Sequence, residues 1–101
     1  MSEARLERDP GGRFRLSGVL SFYTVPKLWR ESESLFGKAT ELEIDLRDVS
    51  HSDSAGVALL VEWMRAARAR DLSMRYFNIP AQMLSIARVS SLDHILPLAK
   101  D

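Results

Sequence analysis

Six consecutive residues, His51-Ser52-Asp53-Ser54-Ala55-Gly56, place two hydroxyls, a carboxylate and an imidazole directly before the apolar run Val57-Ala58-Leu59-Leu60-Val61. Side chains of these types support three kinds of chemistry. The first is helix capping, in which a side-chain oxygen of Asp53 or Ser54 satisfies the unpaired backbone N–H groups that open a helix and stabilises it by about 1 kcal/mol. The second is modification or partner contact at Ser54. A phosphate there meets the positive end of a helix dipole but also adds negative charge beside Asp53, so the fold survives while an interface is disrupted. These two readings are compatible. The third is nucleophilic catalysis, and the sequence argues against it. Ser52 occupies the position that a G-x-S-x-G elbow gives to glycine, and His51 is too near in sequence to converge readily on Ser54 as a base.

Other chemistries find less support. His51 and His94 are the only histidines and there is no cysteine, so a zinc or iron site lacks ligands at suitable spacing. No Gly-rich phosphate loop followed by lysine is present, so the chain is not expected to hydrolyse nucleotide itself. Control of ATP chemistry would have to run through binding an ATPase. No cofactor is expected.

The elements that must position the polar stretch follow from periodicity. Ala4 to Arg8 reads as a strand, Asp9-Pro10-Gly11-Gly12 as a turn, and Arg13 to Ser17 as the return strand of a hairpin. Gly18-Val19-Leu20 is expected to carry the chain off the sheet, with Thr24 as N-cap of the first helix. That helix presents Val25, Leu28, Trp29, Ser32, Leu35 and Phe36 on one face and stops at Gly37. Glu41 to Leu46 alternates apolar and acidic residues, the mark of a sheet with one wet face. The main helix runs from about Ser54 to Arg70, Leu72 to Phe77 forms another strand, and Pro80 opens a third helix ending near Val89. Leu92 to Leu98 is a short strand or docked tail. The resulting order, β-β-α-β-α-β-α, is an α/β class sandwich of about four to five strands in a mixed sheet, with helices mainly on one face.

Two stripes mark the main helix. Val57, Leu60, Val61, Met64 and Ala67 form the ordinary core-facing one. Leu59, Trp63 and Ala66 form a second, displaced around the axis. A helix lying on one sheet face does not need so wide an apolar arc, so either flanking helices cover both sides or Leu59 and Trp63 face a partner, where Trp is a frequent hot spot.

Composition bounds the rest. The 101 residues fit one domain, and 46% apolar content builds its core without staples. Lack of cysteine fits a reducing cytosol. With 14 basic and 14 acidic residues there is no field for nucleic acid or anionic lipid. No apolar run approaches the ~20 residues that span a bilayer, and the N-terminal residues do not form a signal core, so a soluble chain without direct membrane insertion is expected.

The order of strand, Ser52-Asp53-Ser54-Ala55-Gly56 and apolar helix resembles the signature of STAS domains, the family of anti-sigma factor antagonists and sulfate-transporter tails. Gly18-Val19-Leu20 with Thr24 to Trp29 resembles the start of the family's first helix, and Glu43 to Val49 its central strand, so the likeness covers about Gly12 to Leu98. It implies a STAS fold with Ser54 at the regulatory position. Ala58 to Trp63, Phe77-Asn78-Ile79-Pro80 and Ile86-Ala87-Arg88-Val89 are similar to the branch serving phospholipid-transport ABC systems of Gram-negative bacteria. That branch implies a non-catalytic accessory subunit, cytoplasmic and peripheral to the inner membrane, which binds the ABC ATPase and supports outer-membrane lipid asymmetry. Ser52, Asp53, Ser54, Ala55, Gly56, Leu59 and Trp63 would form its partner-binding site. The alternative is an anti-sigma factor antagonist, phosphorylated at Ser54 by a serine kinase. Against that alternative, phosphorylated antagonists often carry an acidic residue where this chain has Ser21. The turn Arg70-Asp71 also lacks the family's usual glycine, and Asp tolerates the left-handed conformation better than most residues.

Overall fold

The computed structural model describes residues 3–100. Its elements are β1 (Arg5–Arg8), β2 (Phe14–Leu20), α1 (Val25–Phe36), β3 (Glu41–Ser52), α2 (Ser54–Ala69), β4 (Ser73–Phe77), α3 (Ala81–Val89) and β5 (Leu98–Ala99). The five strands lie in sequence order in one mixed sheet. β1 and β2 pair antiparallel through the turn at Asp9–Gly12, and β2, β3, β4 and β5 run parallel.

Alternation decides which sheet face is covered. Phe14 and Leu16 of β2, Leu42, Ile44 and Leu46 of β3, and Met74 and Tyr76 of β4 are buried in one cluster with Leu28 and Phe36 of α1, Val57, Leu60 and Met64 of α2, and Met83 and Ala87 of α3. All three helices therefore serve the core on one side of the sheet. Burying such side chains stabilises the fold by about 1.5–3 kcal/mol each. The other face carries the polar set. Arg13 and Arg75 flank Glu43 at 4.0 and 3.3 Å, and the Arg13 guanidinium lies 3.8 Å from the Phe77 ring centroid. That lid explains how Phe77 stays 5% exposed on a wet face.

Several expectations are corrected. Gly18-Val19-Leu20 does not leave the sheet but pairs with Val49, His51 and Ser52. Gly18 has φ +92° at a register shift, and a Cβ there would collide with the backbone oxygen of Glu3. Strand pairing is thus kept by a residue that reads as a strand breaker. Thr24 occupies the N-cap position of α1 without a side-chain cap, because its hydroxyl is used by the preceding turn. Gly37 ends α1 in a right-handed conformation, so its freedom at positive φ is not used. Leu35, read as part of the core stripe, is 39% exposed. Of the C-terminal segment only Leu98 and Ala99 enter the sheet. The turn after α2 conforms to expectation, with Asp71 at φ +56°.

Candidate partner-binding site

The polar stretch that reads as a loop is mostly regular structure. His51 and Ser52 are the last residues of β3, Asp53 is a single connecting residue, and Ser54 already begins α2. Past two register shifts that break the alternation of β3, Ser52 pairs with buried Leu20 and is 0% exposed on the core side, while His51 is exposed. Asp53 holds the junction in three ways. Its N–H donates to Leu20 O (3.1 Å), its extended backbone breaks from strand to helix, and its carboxylate accepts from Ala55 N (2.8 Å). Asp53 is therefore the N-cap, contributing about 1 kcal/mol.

Tight packing lies beneath this cap. The Ser52 hydroxyl donates to Asp53 O (2.9 Å), and a Cβ on Gly56 would collide with Ser52 Oγ and come within 2.8 Å of Leu20 Cβ. Only glycine lets α2 cross the ends of β2 and β3 so closely. Ala55 and Gly56 are buried, whereas Ser54 is exposed at the first helical position. The result is a hydroxyl presented to solvent where the helix dipole is positive. His51 is exposed near the end of β3, and no hydrogen bond between its imidazole and the Ser54 hydroxyl is present among the described residues. Among the described residues no group of His, Cys, Asp or Glu side chains is placed to hold a metal ion.

Sequence reasoning missed Gln82. β4 pairs with β3 only as far as Asp45↔Phe77, so among the described residues the end of β3 has no strand on that side. The Gln82 side chain fills the gap at Ser52, accepting from its N–H (3.0 Å) and donating to its C=O (2.8 Å). The readable signal was the length difference between a long β3 and a short β4, which leaves buried backbone groups to satisfy.

Leu59 and Trp63 are brought together, but not at the surface. Each is 2% exposed, seated against α1. The indole Nε1 donates to Ser32 Oγ (2.8 Å), Ser32 Oγ donates to Trp29 O (2.7 Å), and the Phe36 ring meets the indole edge-on with centroids 5.4 Å apart. The second stripe of α2 is thus a seat for α1, the alternative in which flanking helices cover both sides of that helix. Leu59 still floors a shallow groove of about 420 Å³ between Val25, Pro26 and Trp29 of α1 and Ala58 and Glu62 of α2.

The exposed aromatic surface is elsewhere. Phe22 and Tyr23 are 74% and 94% exposed in the β2–α1 turn. The turn is tied down by Thr24 Oγ1, which accepts from Ser21 N and donates to Val19 O, both at 2.9 Å. Tyr23 N also donates to Ser21 Oγ (3.2 Å), and Val25 N to Ser21 O (2.9 Å). Because Leu20 and Ser52 are register partners, this turn leaves the sheet next to the start of α2. The sequence signal was there: two adjacent aromatics that neither strand nor helix pattern claims.

One buried ionisable group steadies α2. Tyr76 donates its hydroxyl to Leu60 O (2.6 Å), tying β4 to the middle of the helix, and burial raises its phenol well above 10.0.

A five-stranded mixed sheet with three helices on one face, and a serine opening the helix after the central strand, defines an STAS-type domain. The chain belongs to this family, matching the description "Mlab, STAS domain" over residues 5–97. More particularly, it is 34% identical over 77 residues to the intermembrane phospholipid transport system binding protein MlaB of Haemophilus influenzae, covering 71% of this chain and 72% of that protein. It is also 23% identical over 84 residues to an anti-sigma-B factor antagonist of Bacillus subtilis (strain 168), covering 83% of this chain and 77% of that one. In fold it is similar to the anti-sigma factor antagonist SpoIIAA in its unphosphorylated form, with a TM-score of 0.74 at 18% identity over 97% of this chain and 87% of that one.

Proposed function

We propose that this chain is a non-catalytic accessory subunit that binds the ATPase of a phospholipid-transport ABC complex and stabilises its assembled, active state. The observation that carries the reading is the likeness to the Haemophilus influenzae protein at 34% identity, above the 23% to the sigma-B antagonist. The geometry is compatible with it. An exposed Ser54, a rigid cap at Asp53 and the Phe22–Tyr23 turn lie at one end of the sheet and offer hydrogen-bonding and apolar contact together. Ser52, Ala55 and Gly56 shape the backbone under that surface rather than touch the partner. Leu59 and Trp63 hold α1 in place beside it.

Activation on this reading is differential binding: the subunit shifts the ATPase only as far as it prefers the active state. No helix among the described residues is long and apolar enough to cross a membrane. On this reading the chain reaches the inner membrane through its partner. The cytoplasmic location and the part in lipid asymmetry belong to this proposal.

Affinity purification of the tagged chain from native membranes, with mass spectrometry of what co-purifies, tests it. The expected result is an ABC ATPase with its permease. Recovery of a serine kinase and a sigma factor, with phosphate on Ser54, would instead make the chain an anti-sigma factor antagonist.

A further inference from the structure

In a parallel sheet the N–H and C=O of one residue point to the same neighbouring strand. At Ser52 both point away from β2, because the next residue, Asp53, donates to Leu20 O on the β2 side. On the open side Gln82 supplies an acceptor at 3.0 Å and a donor at 2.8 Å. A carboxamide carries the same donor and acceptor pair as a peptide group, so Gln82 acts as one residue of a missing strand.

This clamp bears on the proposed site and not only on the sheet. Ser52 is 0% exposed, its hydroxyl holds Asp53 O, and Gly56 packs on that same hydroxyl. Any shift of Ser52 is therefore passed to the cap and to the first turn of α2. Gln82 itself is exposed and sits at the second residue of α3, an element far from Ser54 in sequence. We infer that Gln82 is a positioning residue for the Ser54 surface, coupling the placement of α3 to the orientation of the start of α2. The inference rests on the proposed function for its partner, but the positioning can be read without one.

The test compares Gln82→Ala and Gln82→Glu with wild type by amide hydrogen exchange and by affinity for the purified ATPase. Removing the amide is expected to speed exchange at Ser52, Ala55 and Gly56 by about tenfold or more while Leu60 is unchanged, and to weaken ATPase binding about tenfold. Glu keeps the acceptor for Ser52 N–H but sets a carboxylate oxygen against its C=O, so it should not restore wild-type behaviour. A merely structural role would lower the melting temperature but leave the affinity of the folded protein alone. Wild-type exchange at these amides, or faster exchange with unchanged affinity, would overturn the inference. If wild type itself does not bind the ATPase, the proposed function fails. The positioning role then stands if Ala55 and Gly56 exchange faster with Ser52, and falls if only Ser52 does.

Discussion

Trp63 and the Phe22–Tyr23 pair are aromatic residues near the same two helices, yet Trp63 is 2% exposed while Phe22 and Tyr23 are 74% and 94% exposed. The difference comes from what surrounds each. Trp63 faces Ser32, a residue small enough to admit an indole and polar enough to accept its N–H, with the Phe36 ring closing one side. Phe22 and Tyr23 sit in a turn whose own hydrogen bonds hold the backbone and leave the rings outside. Hydrophobicity alone therefore does not mark a docking surface. Apolar side chains with a polar escort inside the fold are core, and those on a rigid turn without cover are free to meet a partner.

Trp63→Ala should give the largest effect. Loss of a buried Trp, with Ser32 deprived of its donor, should cost about 3–5 kcal/mol in urea unfolding, while the folded fraction still binds the ATPase. Normal stability with lost binding would reverse the comparison and return Trp63 to the interface. The double variant Phe22→Ala/Tyr23→Ala should do the opposite. Its unfolding free energy should stay within about 0.5 kcal/mol of wild type, and its affinity for the ATPase should fall about tenfold or more, as titration calorimetry would show. A destabilised double variant with intact affinity would place those rings in the fold instead.

Much of the fold was legible in the residues, for reasons the structure makes concrete. Alternation in Glu41 to Leu46 set the faces of β3, and the spacing of Val57, Leu60 and Met64 set the buried side of α2. Asp71 was readable because few other side chains suit its left-handed turn. What escaped depended on contacts between distant segments. Gly18 looks like the end of a strand and instead lies within one, beside a register shift and where a Cβ would meet Glu3. Leu59 and Trp63 made a second stripe whose owner, α1 or a partner, no local pattern can name. Gln82 and Ser52 are 30 residues apart, and nothing in either neighbourhood points to the other. At the candidate site the Asp53 cap was visible in the sequence, while the aromatic turn beside it was not singled out because Ser21 to Thr24 fits no periodic element.

A smaller effect separates the scaffold of α2 from its presented end. Burial raises the Tyr76 phenol, so above the ordinary value of 10.0 the unfolded chain loses this proton while the native chain keeps it. Stability contributed by the neutral phenol is thus full below that pH and declines as pH rises beyond it. Tyr76→Phe should cost about 1 kcal/mol near neutrality through the lost bond to Leu60 O, and should make the decline above about pH 10 shallower. Urea titrations of both proteins across that range would show it, and parallel curves would count against the buried phenol. ATPase affinity at neutral pH should not change.

The most direct measurement is the affinity of the purified ATPase for wild type, Ser54→Ala and Ser54→Arg, each checked for an unchanged unfolding curve. A charged side chain placed at the exposed start of α2 brings an unpaired charge into any interface built there. On this account Ser54→Ala binds nearly as wild type and Ser54→Arg binds about tenfold or more weakly at equal stability. Equal affinity of all three would contradict the account and move the partner surface away from Ser54.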